Sequence, residues 1–390
     1  MHSLRAALES ALVENPDDLA THHAYADYLQ EQGDPRGEFI QLQLALEDPN
    51  RSAREQRRLV ARVKELLAEH QREWLGILAD ELLGSEEEPW DARPESERPY
   101  EIGFARGWLD RIVWHESRMQ ENLLQQNSTL AELLCRAPET RLLRELILEY
   151  DCNISAVLRA SSFLTNLRVF QIVGSGLLIF GSDEETSITS SSFVEFLARQ
   201  PRLKEIYLLN PYGIYELPQL FALPNLNNLR VLQVCGYNDP YPLEVLAGNP
   251  ALKNLTHLQL QCVQSGDLLI DLAGARAIVH SPHLPKLTHL QMHRANLGDV
   301  GCTDIVTSGI LKRLKVLDLR HGEITDSGAR TLADCPDLRN LELLDIERNG
   351  LTQTGIDALR RVLGGALRAD NQQTAEELAQ RQYLYDEPFA

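Results

Sequence analysis

The chain has 390 residues, 43% of them hydrophobic, and 38 basic against 57 acidic side chains give a formal net charge of −19. That length admits more than one domain or a repeat array, and that charge opposes nucleic acid and anionic membranes, both of which call for clustered Lys and Arg. No apolar run approaches the roughly 18 to 20 residues that span a bilayer, and "MHSLRAALESALVENPDD" carries no secretory cleavage site.

The six cysteines are scattered without a CxxC pair. Reduced, core-filling thiols in a cytoplasmic protein are therefore expected. Residues 1–83 show apolar residues at helical spacing (Leu4, Leu8, Leu12; Tyr25, Leu29; Phe39, Leu42, Leu46). Within "EQGDPRGEFIQLQLAL", Gly33 can end one helix in left-handed geometry, Asp34 can cap the next, and Pro35 fits its first turn. Residues 84–99, "GSEEEPWDARPESERP", are acidic with three prolines and read as a linker or surface loop. "FARGWLDRIVW" then reads as a strand rich in β-favouring types.

From Arg141 a frame Leu-x-x-Leu-x-x-Leu-x-Leu recurs. It is clearest in "LKNLTHLQL", "LPKLTHLQM", "LKRLKVLDL" and "LRNLELLDI", and eight copies end at 148, 172, 208, 234, 260, 292, 319 and 346. Each copy supplies one strand and one helical return, and it buries its leucines only against neighbours. Residues 100–368 are the expected repeat array, and 369–390 the expected C-terminal helix and tail.

This spacing resembles the leucine-rich repeat. The copies with Gly301, Gly328 and Gly355, each followed four residues later by Ile305, Leu332 or Leu359, resemble its ribonuclease-inhibitor subtype. The resemblance implies an α/β solenoid, with a curved parallel sheet inside and helical or irregular segments on the convex side. It also implies an asparagine after each strand, and only Asn349 fills that place. "PDDLATHHAYADYLQEQGDPRGEFIQLQLAL" (16–46) resembles a small all-α bacterial repeat-companion domain that precedes such repeats. That second likeness implies association with repeat arrays and no reaction. A helical hairpin of this kind could cap the first strand or form a separate docking module.

Side chains alternate along a strand, so three columns should face out of the concave surface. Its centre holds Tyr207, Gln233, His257, Gln259, Gln261, His289, Gln291 and His293, with Asp318 and Arg320 towards the end. This set can hydrogen-bond a protein partner, or be no more than a soluble sheet face. His289 and His293 lie about 13 Å apart along one strand, too far for one ion, and His257 with His289 lacks a third ligand, so no metal is expected. Tyr212, Tyr215, Tyr237 and Tyr241, with Leu178 and Phe180, are weaker loop candidates that could equally pack the loops themselves.

"VFQIVGSG" lacks the third glycine and following helix of a dinucleotide loop, and no catalytic triad spacing, phosphate loop or HExxH occurs. The expectation is a non-enzymatic interaction protein with no cofactor, no small-molecule substrate, no nucleic acid and no membrane. Its partner is a protein, with a basic protein or an enzyme as candidates. The alternatives are a stoichiometric enzyme inhibitor, or an effector regulated through the helical part and its linker.

Overall fold

The computed structural model describes residues 4–115, 132–134, 136–149, 163–173, 191–209, 217–236, 241–262, 270–374 and 376–377. The chain forms two compact units, Met1–Phe170 and Gln171–Ala390.

Unit 1 begins with helices α1 (Leu4–Glu14), α2 (Leu19–Glu31), α3 (Pro35–Leu46), α4 (Ala53–Leu75) and α5 (Ala79–Leu83). Its strands are β1 (Tyr100–Ala105), β2 (Trp108–His115) and β3 (Glu145–Glu149). The junction of α2 and α3 follows its sequence signals: Gly33 sits at φ 74°, and Asp34 accepts the Arg36 N–H at 2.9 Å beside Pro35 in the first turn. Asp18 caps α2, and Ser52 with Glu55 closes a capping box on α4. Leu12, Tyr25, Ala26, Leu29, Ile40 and Leu44 form a core with Trp108 and Leu142. Phe39, Leu66 and Trp74 form a second cluster.

The stretch expected as one strand is a hairpin. β1 pairs antiparallel with β2, and the turn places Arg106 at φ 49° and Gly107 at φ 80°. Such two-residue turns are usually signalled by Asn-Gly or Asp-Gly, and Arg-Gly gives no such signal. β2 then pairs parallel with β3, Val113 opposite Ile147.

Residues of the 16–46 segment grip this hairpin. Arg36 Nε donates to the Gly107 carbonyl at 2.8 Å, and the guanidinium lies 4.7 Å from the Trp108 ring centroid. Gln43 donates to the Phe104 carbonyl and accepts the Gly107 N–H. Tyr25 stacks on Trp108 at 5.7 Å. A Cβ at Gly107 would collide with Ile40, so this glycine is required both for its φ and for the close approach. In residues 84–99, Trp90 Nε1 donates to the Glu81 carbonyl and Arg93 stacks on Trp90.

β4 (Val169–Val173) spans the division between the units. Unit 2 continues with β5 (Glu205–Leu209), β6 (Val231–Gly236), β7 (His257–Cys262), β8 (His289–His293), β9 (Val316–Asp318), β10 (Leu343–Asp345) and β11 (Leu367–Arg368). β5 to β11 are parallel neighbours in chain order. The returns carry α6 (Ser191–Ala198), α7 (Leu217–Phe221), α8 (Leu243–Gly248), α9 (Leu272–Val279), α10 (Gly298–Ser308), α11 (Asp326–Ala333) and α12 (Gln353–Leu363). The repeat leucines fill the core: Leu311, Leu314, Leu317 and Leu319 are all buried, each contributing about 1.5–3 kcal/mol of apolar transfer.

Two hydrogen-bond devices join successive repeats. Asn349 is fully buried; its Oδ1 accepts the N–H groups of Gly322 and Ile324, and its Nδ2 donates to Leu319, Ile346 and Glu347 carbonyls. Asp299 accepts the Thr325 and Gly328 N–H groups and the Thr325 hydroxyl of the next repeat. Asp326 does the same for Thr352 and Gly355. A Cβ on Gly328 would stand 2.5 Å from the Asp299 carboxylate, which explains the glycine at the start of these helices.

Candidate functional site

Strand pairing aligns the expected columns. Tyr207, Gln233, Gln259, Gln291, Asp318 and Asp345 are register partners along β5 to β10, with His257 opposite His289 and Gln261 opposite His293. Neighbouring strands lie about 4.8 Å apart, so each row is a ladder of touching side chains. Beneath it, Leu232, Val234, Leu258, Leu260, Leu290 and Met292 point into the core.

The ladder changes character along its length. Gln233, Gln259, Gln261 and Gln291 are partly exposed. Their side-chain amides make no hydrogen bond among the described residues, and each therefore offers donors and an acceptor outward. The Tyr207 hydroxyl donates to Glu205 at 2.7 Å.

His257 and His289 stack with centroids 3.9 Å apart and planes at 18°. Their protonation is set by the preceding threonines. Thr256 Oγ1 donates to the Arg230 carbonyl and Thr288 Oγ1 to the Thr256 carbonyl. Each hydroxyl therefore accepts from the following histidine's Nδ1–H, at 2.8 and 2.9 Å. Both neutral rings are thus Nδ1–H tautomers with an Nε2 lone pair as the remaining acceptor. Burial, then the charge of His257, pulls the His289 pKa below its ordinary value.

Towards β9 and β10 the expected contact residues turn inward, which corrects two of the candidates. Asp318 and His293 are buried, not presented to solvent. Asp318 Oδ1 accepts the Arg320 N–H and its carboxylate takes the Arg320 guanidinium at 3.0 and 2.8 Å. Asp345 repeats the backbone contact with the Glu347 N–H. A short aspartate that folds back on its own turn does not project like a glutamine, and so β9 and β10 end after three residues. Burial raises the Asp345 pKa to about 6, with the neighbouring Asp318 adding to it against the pull of the Glu347 N–H and Arg320. His293 packs 5.1 Å from His321; burial followed by the nearby Arg320, Arg294 and Arg348 lowers His293 to about 3, and burial followed by His293 and then these arginines lowers His321 to about 3. Arg320 itself stays partly exposed.

Among the loop candidates, Tyr241 is buried with its hydroxyl donating to the Gln261 carbonyl at 2.7 Å, so it packs its loop and is no exposed anchor. Tyr212, Tyr215, Tyr237, Leu178 and Phe180 lie outside the described residues. Cys235, Cys302 and Cys335 are buried and unbridged. Among the described residues no three His, Cys, Asp or Glu side chains converge to hold a metal ion, and no helix is long and apolar enough to cross a membrane.

The threonine clamps, the His321 neighbour and the aspartate rungs at Asp299 and Asp326 were not anticipated. Only the last left a trace, an Asp two residues before Gly301 and Gly328.

A parallel sheet of in-phase leucine frames with helical returns defines a class of repeat protein. Residues 313–333 match the family model described as Leucine Rich repeat, and the other in-phase frames repeat the same strand-and-return pattern. A crystal structure of a protein from Bacteroides fragilis is similar at 19% identity over 66% of this chain and 74% of that one, with a TM-score of 0.46. An internalin from Listeria monocytogenes is similar at 14% identity over 61% and 69%, with a TM-score of 0.33. No curated protein matches the chain.

Proposed function

We propose that the exposed face of β5 to β8 docks a partner protein, in the cytoplasm of a bacterium and without catalysis. Tyr207, Gln233, His257, Gln259, Gln261, His289 and Gln291 are the contact set, with Arg320 at its margin. The observation that carries this is the glutamine ladder. Gln233, Gln259 and Gln291 stand in register on adjacent strands with amides unspent among the described residues, bracketed by an aromatic hydroxyl and two histidine lone pairs. Repeat proteins of this class present an extended sheet face to partners. The net charge of −19 favours a basic partner through long-range steering. On this reading residues 1–83 are the companion domain and 100–368 the repeat array.

The test is affinity purification of the tagged chain from its host with mass spectrometry, repeated with His289→Ala and Gln291→Ala combined. Removing two central contacts should weaken a captured partner by about tenfold or more. Undiminished recovery would move the site off this face.

A further inference from the structure

A second row of residues borders the sheet of unit 2. The residues immediately before the strands form their own row, Lys204, Arg230, Thr256, Thr288, Lys315 and Glu342. Each carbonyl accepts from the next repeat: Arg230 N–H donates to Lys204, Thr256 to Arg230, Thr288 to Thr256, Lys315 to Thr288 and Glu342 to Lys315, all at 2.7–2.9 Å. The row is therefore as fixed as the sheet itself.

Its two ends differ in charge. At one end Lys315 has its counter-ion, the Glu342 carboxylate at 3.2 Å. At the other, Lys204 and Arg230 border a cavity of about 310 Å³ that is completed by Asn228, Asn254, Thr256 and Lys286. No carboxylate lines it. Among the described residues none of these three cations forms an ion pair; Lys286 donates instead to the Asn254 amide oxygen at 2.7 Å. Several arginines elsewhere are matched with acids, as in Arg62 with Glu38, Arg106 with Glu47 and Arg276 with Asp304. In a chain with 57 acidic residues, three unneutralised cations around one hollow are a local reversal of sign.

We infer that this cavity is an oxyanion site that takes a phosphate-bearing ligand of about diphosphate size. The volume is at the lower end of small-molecule pockets, too large for one phosphate to touch every wall. Lys204 and Arg230 come from adjacent strands about 4.8 Å apart, which suits two of the ligand's oxygens, while Lys286 closes the far side two strands on. Arg230 supplies the planar fork and the lysines supply point charges. Acidic side chains more than a Debye length away, about 8–10 Å, are largely screened by salt and do not cancel cations within contact of a ligand.

The full-length protein titrated calorimetrically with inorganic pyrophosphate should show one saturable site that weakens as salt rises. Lys204→Gln with Arg230→Gln should weaken it by about tenfold per charge removed. Lys315→Gln, a change to a neutralised cation in the same row, should leave it unaltered and so control for general charge. O-phosphoserine provides the second arm. Binding of pyrophosphate well above that of O-phosphoserine supports the diphosphate size, and O-phosphoserine binding at least as tight as pyrophosphate overturns it in favour of a single phosphate. Absence of binding to both, or equal affinity in the double variant, overturns the site.

Discussion

Unit 1 and the repeats of unit 2 are held together by opposite means. Unit 1 relies on contacts that occur once. Arg36 on the Gly107 carbonyl, Tyr25 on Trp108, Arg141 on Glu9 and Arg168 on Asp17 each join distant parts of the chain, by a backbone hydrogen bond, an aromatic stack and two ion pairs. The last repeats use one rung twice: Asp299 to Thr325 and Gly328, then Asp326 to Thr352 and Gly355. Nearest-neighbour stacking spreads a loss over similar interfaces, whereas a unique contact has no substitute.

That contrast can be broken most sharply at Trp108. It is buried against Tyr25 and beneath Arg36, so Trp108→Ala should cost unit 1 about 4 kcal/mol in urea unfolding followed by circular dichroism. A loss below about 1 kcal/mol would mean the hairpin is not part of that core. Asn349 is the test on the repeat side, because it is the one rung there that resembles unit 1 in being unrepeated among the strand-following positions. Asn349→Ala removes the side-chain partner of the Gly322 and Ile324 N–H groups and the Leu319 carbonyl, while the Ile346 and Glu347 carbonyls keep Gln372 and His321; it should cost about 3 kcal/mol, more than Asp326→Ala, whose rung has a twin at Asp299. Equal costs would erase the distinction.

The finest comparison is in pH dependence. Asp345 has its folded pKa raised to about 6 against an ordinary 3.8, so its contribution is fully present below pH 4 and is lost as pH rises through 6. Asp345→Asn keeps an acceptor for the Glu347 N–H. It should be more stable than the parent at pH 7 by about 2 kcal/mol and equal to it near pH 4. His293 works the other way. Its folded pKa is depressed to about 3, so its contribution is present above 6.5 and is lost as pH falls towards 3. Thermal melts of His293→Met across pH 4–7 should show a shallower acid limb than the parent.

What sequence alone determined is the periodic part. Leucine spacing located every described repeat strand from β5 to β10, because burial on a parallel sheet permits only one phase of apolar residues. The Gly33–Asp34–Pro35 junction was equally local, since cap geometry is decided within a few residues. Column membership followed from alternation. Which members reach solvent did not follow, because Asp318 and Gln291 occupy the same column and only the partner of each, Arg320 for one and none among the described residues for the other, decides whether it folds back or projects. The hairpin at Arg106–Gly107, the histidine tautomers set by Thr256 and Thr288, and the unpaired cations around Lys204 and Arg230 were likewise settled by tertiary structure. Each depends on groups separated in the chain by 26 residues or more, or on a backbone turn whose residue types carry no signal, and a pattern read along one chain does not contain those distances.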